Sequence, residues 1–274
     1  MSGNYHLLFG LNANTPQYEY RSNEHFLSVL DQQLNLFAVD RSKSQYILFT
    51  GVNNEVFRRD FTDPIDRLTD FEIYSITHEL IIVKIESHTH GWSRSAFNVL
   101  LLDKLKTMDD HHKDIRGFAS AHVQGEDRIQ RADQIYQPKR LPRHRSRQWP
   151  SLVLEAGYTE GQRKLNSDID WWITQSKGDV KCAITIAVNP RVKEIVISQW
   201  YGNDSQQRVY RNALSHALSQ DGRGAIKTSN PNPLTIPFEH LFLRPPSGNE
   251  QDITFTITDL KEVANDVWEV QFEA

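Results

Sequence analysis

The sequence predicts an α/β protein, a mixed central sheet flanked by helices, and three observations predict it. The apolar run Leu152–Leu154 passes through Glu155 into an amphipathic helical pattern and then into a second apolar run, Val180–Val188. A β-branched stretch, Glu79–Glu86, is likewise followed by a polar turn and a helical pattern. The 274 residues are 38% hydrophobic and 10% aromatic, enough for a sizeable core.

Taken in order, Phe26, Leu27, Leu30, Leu34 and Phe37 recur at helical spacing, and Ser44–Val52 reads as a strand. After the strand at Glu79–Glu86, the turn Ser87–Gly91 leads to a helix from Trp92 to Met108 that buries Phe97, Leu100, Leu101 and Leu105. A short, partly polar strand is expected at Phe118–Val123. Thr159 followed by Gln162 has the form of a capping box, so a helix starts there. Its stripe is Leu165, Ile169, Trp172 and Ile173, and Gly178 closes it. Glu194–Trp200 reads as a strand, and residues 203–232, rich in Asn, Ser, Gly and Pro, as loop with one short element. A strand at Asp252–Ile257 and a helix at Asp259–Trp268, capped by Asp259, end the pattern. The strand–helix–strand unit implies a right-handed crossover, and the elements from residue 79 onward are expected in one mixed sheet.

Composition removes several classes of function. No apolar run approaches the roughly 18 residues a membrane helix needs, and the opening Met-Ser-Gly-Asn-Tyr-His has none of the basic and apolar regions of a secretory signal. Cys182 is the one cysteine, which excludes an internal disulfide and a cysteine zinc site. The expectation is an intracellular protein, cytoplasmic or nuclear. The net charge of −4 argues against a general trap for nucleic acid, but residues 138–148 carry Lys139, Arg140, Arg143, Arg145 and Arg147 with no acid. Such a cluster is either a phosphate contact or a solvated loop.

The chemistry concentrates on two acids. A carboxylate at the end of an apolar strand is costly unless paired, hydrogen-bonded or metal-bound, which singles out Glu155. Asp133 lies 22 residues earlier, an interval that accommodates a short strand, the basic loop and a return strand. Two carboxylates on neighbouring strands suffice to seat one Mg²⁺ or Mn²⁺ ion. His88-Thr-His90 and His111-His112 invite a metal reading, but without a spaced further ligand surface and turn positions are the plainer reading. Trp171-Trp172 falls on or beside the helix stripe, so packing is favoured over base stacking, and Asp168 and Asp170 read as solvated helix acids, Asp168 within reach of Lys164.

From about Glu79 to Trp268 the chain resembles a group of fungal proteins with a PD-(D/E)XK nuclease-like domain and, more distantly, bacterial restriction-endonuclease families of that superfamily. The resemblance is carried by Ala132-Asp133 with Pro138, by Trp149-Pro-Ser-Leu-Val-Leu-Glu155-Ala-Gly-Tyr-Thr-Glu160, by Leu165, Asp168, Trp171-Trp172 and Gly178–Ile186, and by Asp259-Leu260 with Val267-Trp268. It implies a restriction-endonuclease-like core over residues 66–274, with residues 1–65 an N-terminal elaboration packed on it in a single globular unit. It further implies a metal-dependent nuclease acting on nucleic acid, possibly DNA, with Asp133 and Glu155 as metal ligands. The motif lysine, expected two residues after Glu155, is replaced by Gly157, and Lys164 on the following helix is the substitute the resemblance allows. Near His90-Gly91-Trp92, where related domains often supply another acid, there is none. Two readings stand: a nuclease using Asp133, Glu155 and Lys164, or a catalytically degenerate nuclease fold that serves as a binding module.

Overall fold

The computed structural model describes residues 5–62, 71–86, 88–119, 121–158, 161–203, 208–210 and 215–272. Along the chain run α1 (Tyr5–Leu8), β1 (Gln17–Glu19), α2 (Asn23–Val39), β2 (Tyr46–Thr50), α3 (Asn54–Phe57), β3 (Ile73–Ser75), β4 (Leu80–Lys84) and α4 (His88–Thr107). There follow β5 (Ile115–Ala119), β6 (His122–Gln124), β7 (Arg128–Arg131), β8 (Gln134–Pro138), β9 (Leu152–Gly157), α5 (Gly161–Gln175) and β10 (Cys182–Val188). The rest is β11 (Glu194–Asn203), β12 (Arg208–Tyr210), β13 (Ser215–Gln220), β14 (Ile226–Thr228), β15 (Leu234–Ile236), α6 (Phe238–Phe242), β16 (Ile253–Phe255) and α7 (Ile257–Phe272). The protein is therefore mixed α/β, as expected. Its chain divides into two compact units, Met1–Glu86 with His122–Arg131, and Ser87–Ala121 with Ala132–Ala274. Among the described residues no helix is long and apolar enough to cross a membrane.

In the first unit the sheet order is β1-β2-β4-β3-β7-β6, with β1 and β2 parallel and the other pairs antiparallel. The strand expected at Glu79–Glu86 is present as β4 but lies in this sheet, between β2 and β3. The predicted strand Phe118–Val123 is in fact two, β5 and β6, which belong to different sheets. Helix α2 starts at Ser22, whose hydroxyl accepts from the His25 amide, and it buries Phe26, Val29 and Phe37. Leu27 and Leu34, expected on the buried stripe, are exposed. Charge is also buried here: Lys84 lies 4.0 Å from Glu72, and Arg131 approaches Glu72 at 3.9 Å and Glu86 at 3.0 Å.

The second unit is built on a sheet of order β14-β13-β11-β10-β9-β8-β5, with β12 beside β11, and a separate β15–β16 pair. Among the described strands of this unit only the β9–β10 pair is parallel, so the chain must cross over, and α5 is that crossover. Residues 203–232, expected to be mostly loop, contribute β12, β13 and β14 instead; their polar composition suits strands with one wet face. The predicted start of α5 at Thr159 lies outside the described residues. The last helix is capped by Thr256, whose hydroxyl accepts from the Asp259 amide at 3.2 Å while Asp259 Oδ2 accepts from the Thr256 amide at 2.6 Å. Asp259, expected as the cap, is thus the reciprocal partner in a capping box.

Next to α6, Arg244 donates to both carboxylate oxygens of Glu250 at 2.5 and 2.6 Å. Glu250 also accepts from Ser247 and meets His111 at 2.9 Å. The Arg244 guanidinium and the Ser247 donors hold the Glu250 carboxyl down at about 2, against 4.5 in a free chain. A carboxyl with a depressed folded value contributes stability above its unfolded value and loses it as pH falls toward the folded one. Glu250→Gln should therefore flatten the loss of stability between about pH 4.5 and pH 2. Urea denaturation across that window, compared with wild type, checks it; parallel curves would contradict the assignment.

Candidate functional site

The β8–β9 register sets the site. Gln134 pairs with Leu154, Ile135 with Val153 and Tyr136 with Leu152, so the next pair outward is Asp133 with Glu155. Glu155 does not end its strand, as the sequence led us to expect: β9 continues to Gly157, and Glu155 also pairs with Thr185 of β10. Glu155 Oε2 accepts from the Asp133 amide at 3.3 Å, and Asp133 Oδ2 accepts from the Ala156 amide at 2.7 Å. Both acids are buried, at 2% and 1% relative exposure.

Alternation along β9 puts Val153, Glu155 and Gly157 on one face. That face meets α5, because a Cβ at Gly157 would lie 3.2 Å from Leu165 side-chain atoms. A Cβ at Gly202 of β11 would meet Ile173 of the same helix at 3.0 Å. Glycine at these two positions lets α5 lie close across β9 and β11. The position where the resemblance leads one to expect a lysine is thus not an empty slot; Leu165 fills the space such a side chain would enter.

From α5, Trp172 donates its indole N–H to Glu155 Oε1 at 2.7 Å. A second indole, Trp200, donates to Thr185, the neighbour of Glu155 on β10, at 3.0 Å. Sequence reading placed Trp172 in the core, which is where it lies, but missed its polar role; a buried indole N–H needs an acceptor. Trp171 and Trp172 pack edge-on, and Trp149 joins them. Lys164, Asp168 and Trp172 recur every four residues and form one buried stripe of α5. Lys164 donates to Asp168 at 2.5 Å, with both side chains 2% exposed or less. The expectation that Asp168 is a solvated acid is therefore corrected, whereas Asp170 is exposed. The one clue in the sequence was the four-residue spacing from Lys164.

On the first core helix, where an acid was sought and not found, Arg94 of α4 donates to the Asp133 carbonyl at 3.3 Å. His111 lies against Asp114 and Glu250, away from the acid pair; the side chains of His88 and His90 are outside the described residues. Among the described residues no group of three or more His, Cys, Asp or Glu side chains is placed to hold a metal ion. Asp133 and Glu155 remain as a two-carboxylate donor set. Hard oxygen donors of this kind fit Mg²⁺ or Mn²⁺, which commonly take one or two carboxylates and keep several waters.

The basic loop lies at the opposite end of the β8–β9 hairpin from the acids. Five residues separate Asp133 from Pro138, about 17 Å of extended chain. Lys139, Arg140, Arg143 and Arg147 are exposed. Arg145 is not: it pairs with Asp179 at 2.5 Å and donates to the carbonyls of Trp149, Pro150 and Asp179. Burial pulls its guanidinium below the usual range, with Asp179 opposing. Arg145 is the tether of the loop, and the other four cations face solvent.

Two predictions follow from this packing. Trp172→Phe leaves Glu155 Oε1 without its indole donor and should cost about 1–3 kcal/mol in urea denaturation. In a Glu155→Leu background the same substitution should cost less, with a coupling of roughly 0.5–3 kcal/mol; strictly additive effects would refute the bond. Gly157→Lys drives a side chain into Leu165 and should destabilise by about 1–3 kcal/mol. Leu165→Ala added to it should recover part of that loss.

No protein-family model matches the chain, and no curated protein matches it. Among solved structures it is similar to a protein from Anabaena variabilis ATCC 29413 described as a candidate nuclease belonging to DUF820. The identity is 12% and the TM-score 0.41, over 72% of this chain and 90% of that one.

Proposed function

We propose that this chain is a metal-dependent nuclease that hydrolyses phosphodiester bonds of nucleic acid, with Asp133 and Glu155 as the ligands of Mg²⁺ or Mn²⁺. The observation that carries the reading is the register that sets Asp133 directly opposite Glu155 on neighbouring strands. A bound divalent ion supplies charge stabilisation at the phosphoryl group and a more acidic water. The chain's own contribution is orientation. The Asp133 amide and the Trp172 indole fix the Glu155 carboxylate, and the Ala156 amide fixes that of Asp133. Lys164 takes the part of the missing motif lysine from α5, held by Asp168, and offers positive charge to the attacking water or the developing anion. The exposed cations of the basic loop would meet backbone about five base steps from the bond being cut, at about 3.4 Å per step.

A second reading has its own observation. Leu165 occupies the space beside Gly157 where a strand-borne lysine would sit, which favours a degenerate nuclease fold that binds without cutting. Incubation of plasmid, single-stranded DNA and RNA with Mg²⁺ or Mn²⁺ separates the two. Under the first reading wild type cleaves, and Glu155→Ala and Lys164→Met each lower the rate by about 10²-fold or more. Background cleavage equal in all three proteins removes the first reading. Calorimetric Mn²⁺ binding that Glu155→Ala abolishes, without any cleavage, would then leave the second.

A further inference from the structure

Helix α4 presents two faces. Ser93, Phe97, Leu101 and Leu105 point inward and are buried. Trp92, Ala96, Val99 and Asp103 recur every three to four residues on another face and line a groove shared with α7. The helices run antiparallel, because Lys104 near the end of α4 meets Asp259 in the first turn of α7 at 2.6 Å. The groove has a volume of about 670 Å³, and the span from Trp92 to Asp103 is about 16 Å, three helical turns. Its floor is apolar, with Trp92 50% and Val99 55% exposed and Val263 and Val270 facing them from α7.

The rim has one sign of charge. Asp103, Glu262, Asp266 and Glu269 line it, Asp259 closes one end against Lys104, and none of the described lining residues is cationic. Burial and the neighbouring Glu269 push the Asp266 carboxyl upward, as expected of acids crowded without counter-charge. An apolar floor three turns long between acidic edges is complementary to a helix with apolar residues on one face and Lys or Arg beside them. Nucleic acid is disfavoured, since its phosphates would face the acids. A second copy offers the wrong charge as well: α2, with exposed Leu27, Leu34 and Leu36, carries Glu24 and Asp31 and no Lys or Arg.

We propose that the α4–α7 groove is the docking site for a basic amphipathic helix of a partner protein. It is separate from the Asp133–Glu155 pair and does not depend on whether that pair cleaves anything.

The probe is a synthetic amphipathic peptide of about 12 residues with leucines at i, i+3 and i+7 and lysines flanking them, matched to the groove length. Its binding to the full chain is read by anisotropy of a labelled peptide at low and high salt. The lysine peptide should bind at least about tenfold more tightly than a glutamate-flanked version and than a scrambled sequence, and salt should weaken it. Glu262→Lys with Asp266→Lys should reverse the preference between the lysine and glutamate peptides, and Val99→Asp should abolish binding of both. Equal binding of the three peptides overturns the proposal, as does a preference that survives the charge reversal. Displacement of the peptide by a short DNA duplex, or a dimer in sedimentation that Val99→Asp dissolves, would assign the groove to a different occupant and overturn it too. The peptide comparisons use wild-type protein, so they stand even where a variant folds poorly.

Discussion

The second unit is organised around a carboxylate held inside a sheet. Glu155 is flanked by strands on both sides, so it has no route to solvent along the ladder and must find donors locally. The Asp133 amide comes from β8's side and the Trp172 indole from the crossover helix. That requirement ties three elements together: β8 must start one residue after Asp133, β9 must be parallel to β10 so that a helix crosses over it, and the helix must place an indole at the correct turn. Gly157 and Gly202 belong to the same constraint, since α5 reaches Glu155 only because β9 and β11 have no side chain under Leu165 and Ile173.

Leu165 beneath the sheet and the buried ion pair belong to one packing arrangement. A lysine at position 157 and a leucine at 165 would compete for one volume, and this chain has leucine there. Positive charge then enters the face from α5, at Lys164, and a buried ammonium needs a nearby acid, which is Asp168 at one helical turn. The exchange also accounts for the burial of Asp168.

What could be read from the sequence follows from how strongly each element is specified locally. The crossover helix and its two strands were plain, because a continuous apolar run, a four-residue stripe and a second apolar run are signals of period and composition alone. The opposition of Asp133 and Glu155 was accessible as a possibility, since 22 residues accommodate a hairpin; the register that makes it so was not. Strands β12 to β14 were hidden in polar sequence because one of their faces is not required to be apolar. The placement of β4 was misjudged for a different reason: an apolar strand looks the same whichever sheet receives it, and its partners β2 and β3 are fixed by long-range pairing. The polar duty of Trp172 could not be separated from packing, as the same stripe position serves both.

The insertion of β6 and β7 between β5 and β8 has a consequence for how the chain acquires its structure. Residues His122–Arg131 belong to the first unit, yet the segments on either side belong to the second. During synthesis the first sheet therefore lacks its β7 partner for β3 until the chain has already passed through α4 and β5, which raises contact order and slows closure of that sheet. Asp133 is made two residues after the return. The acid that pairs with Glu155 thus follows directly on the last strand of the other unit, so a truncation that removes the residues before β4 would strand the β6–β7 hairpin beside the very segment that positions the site.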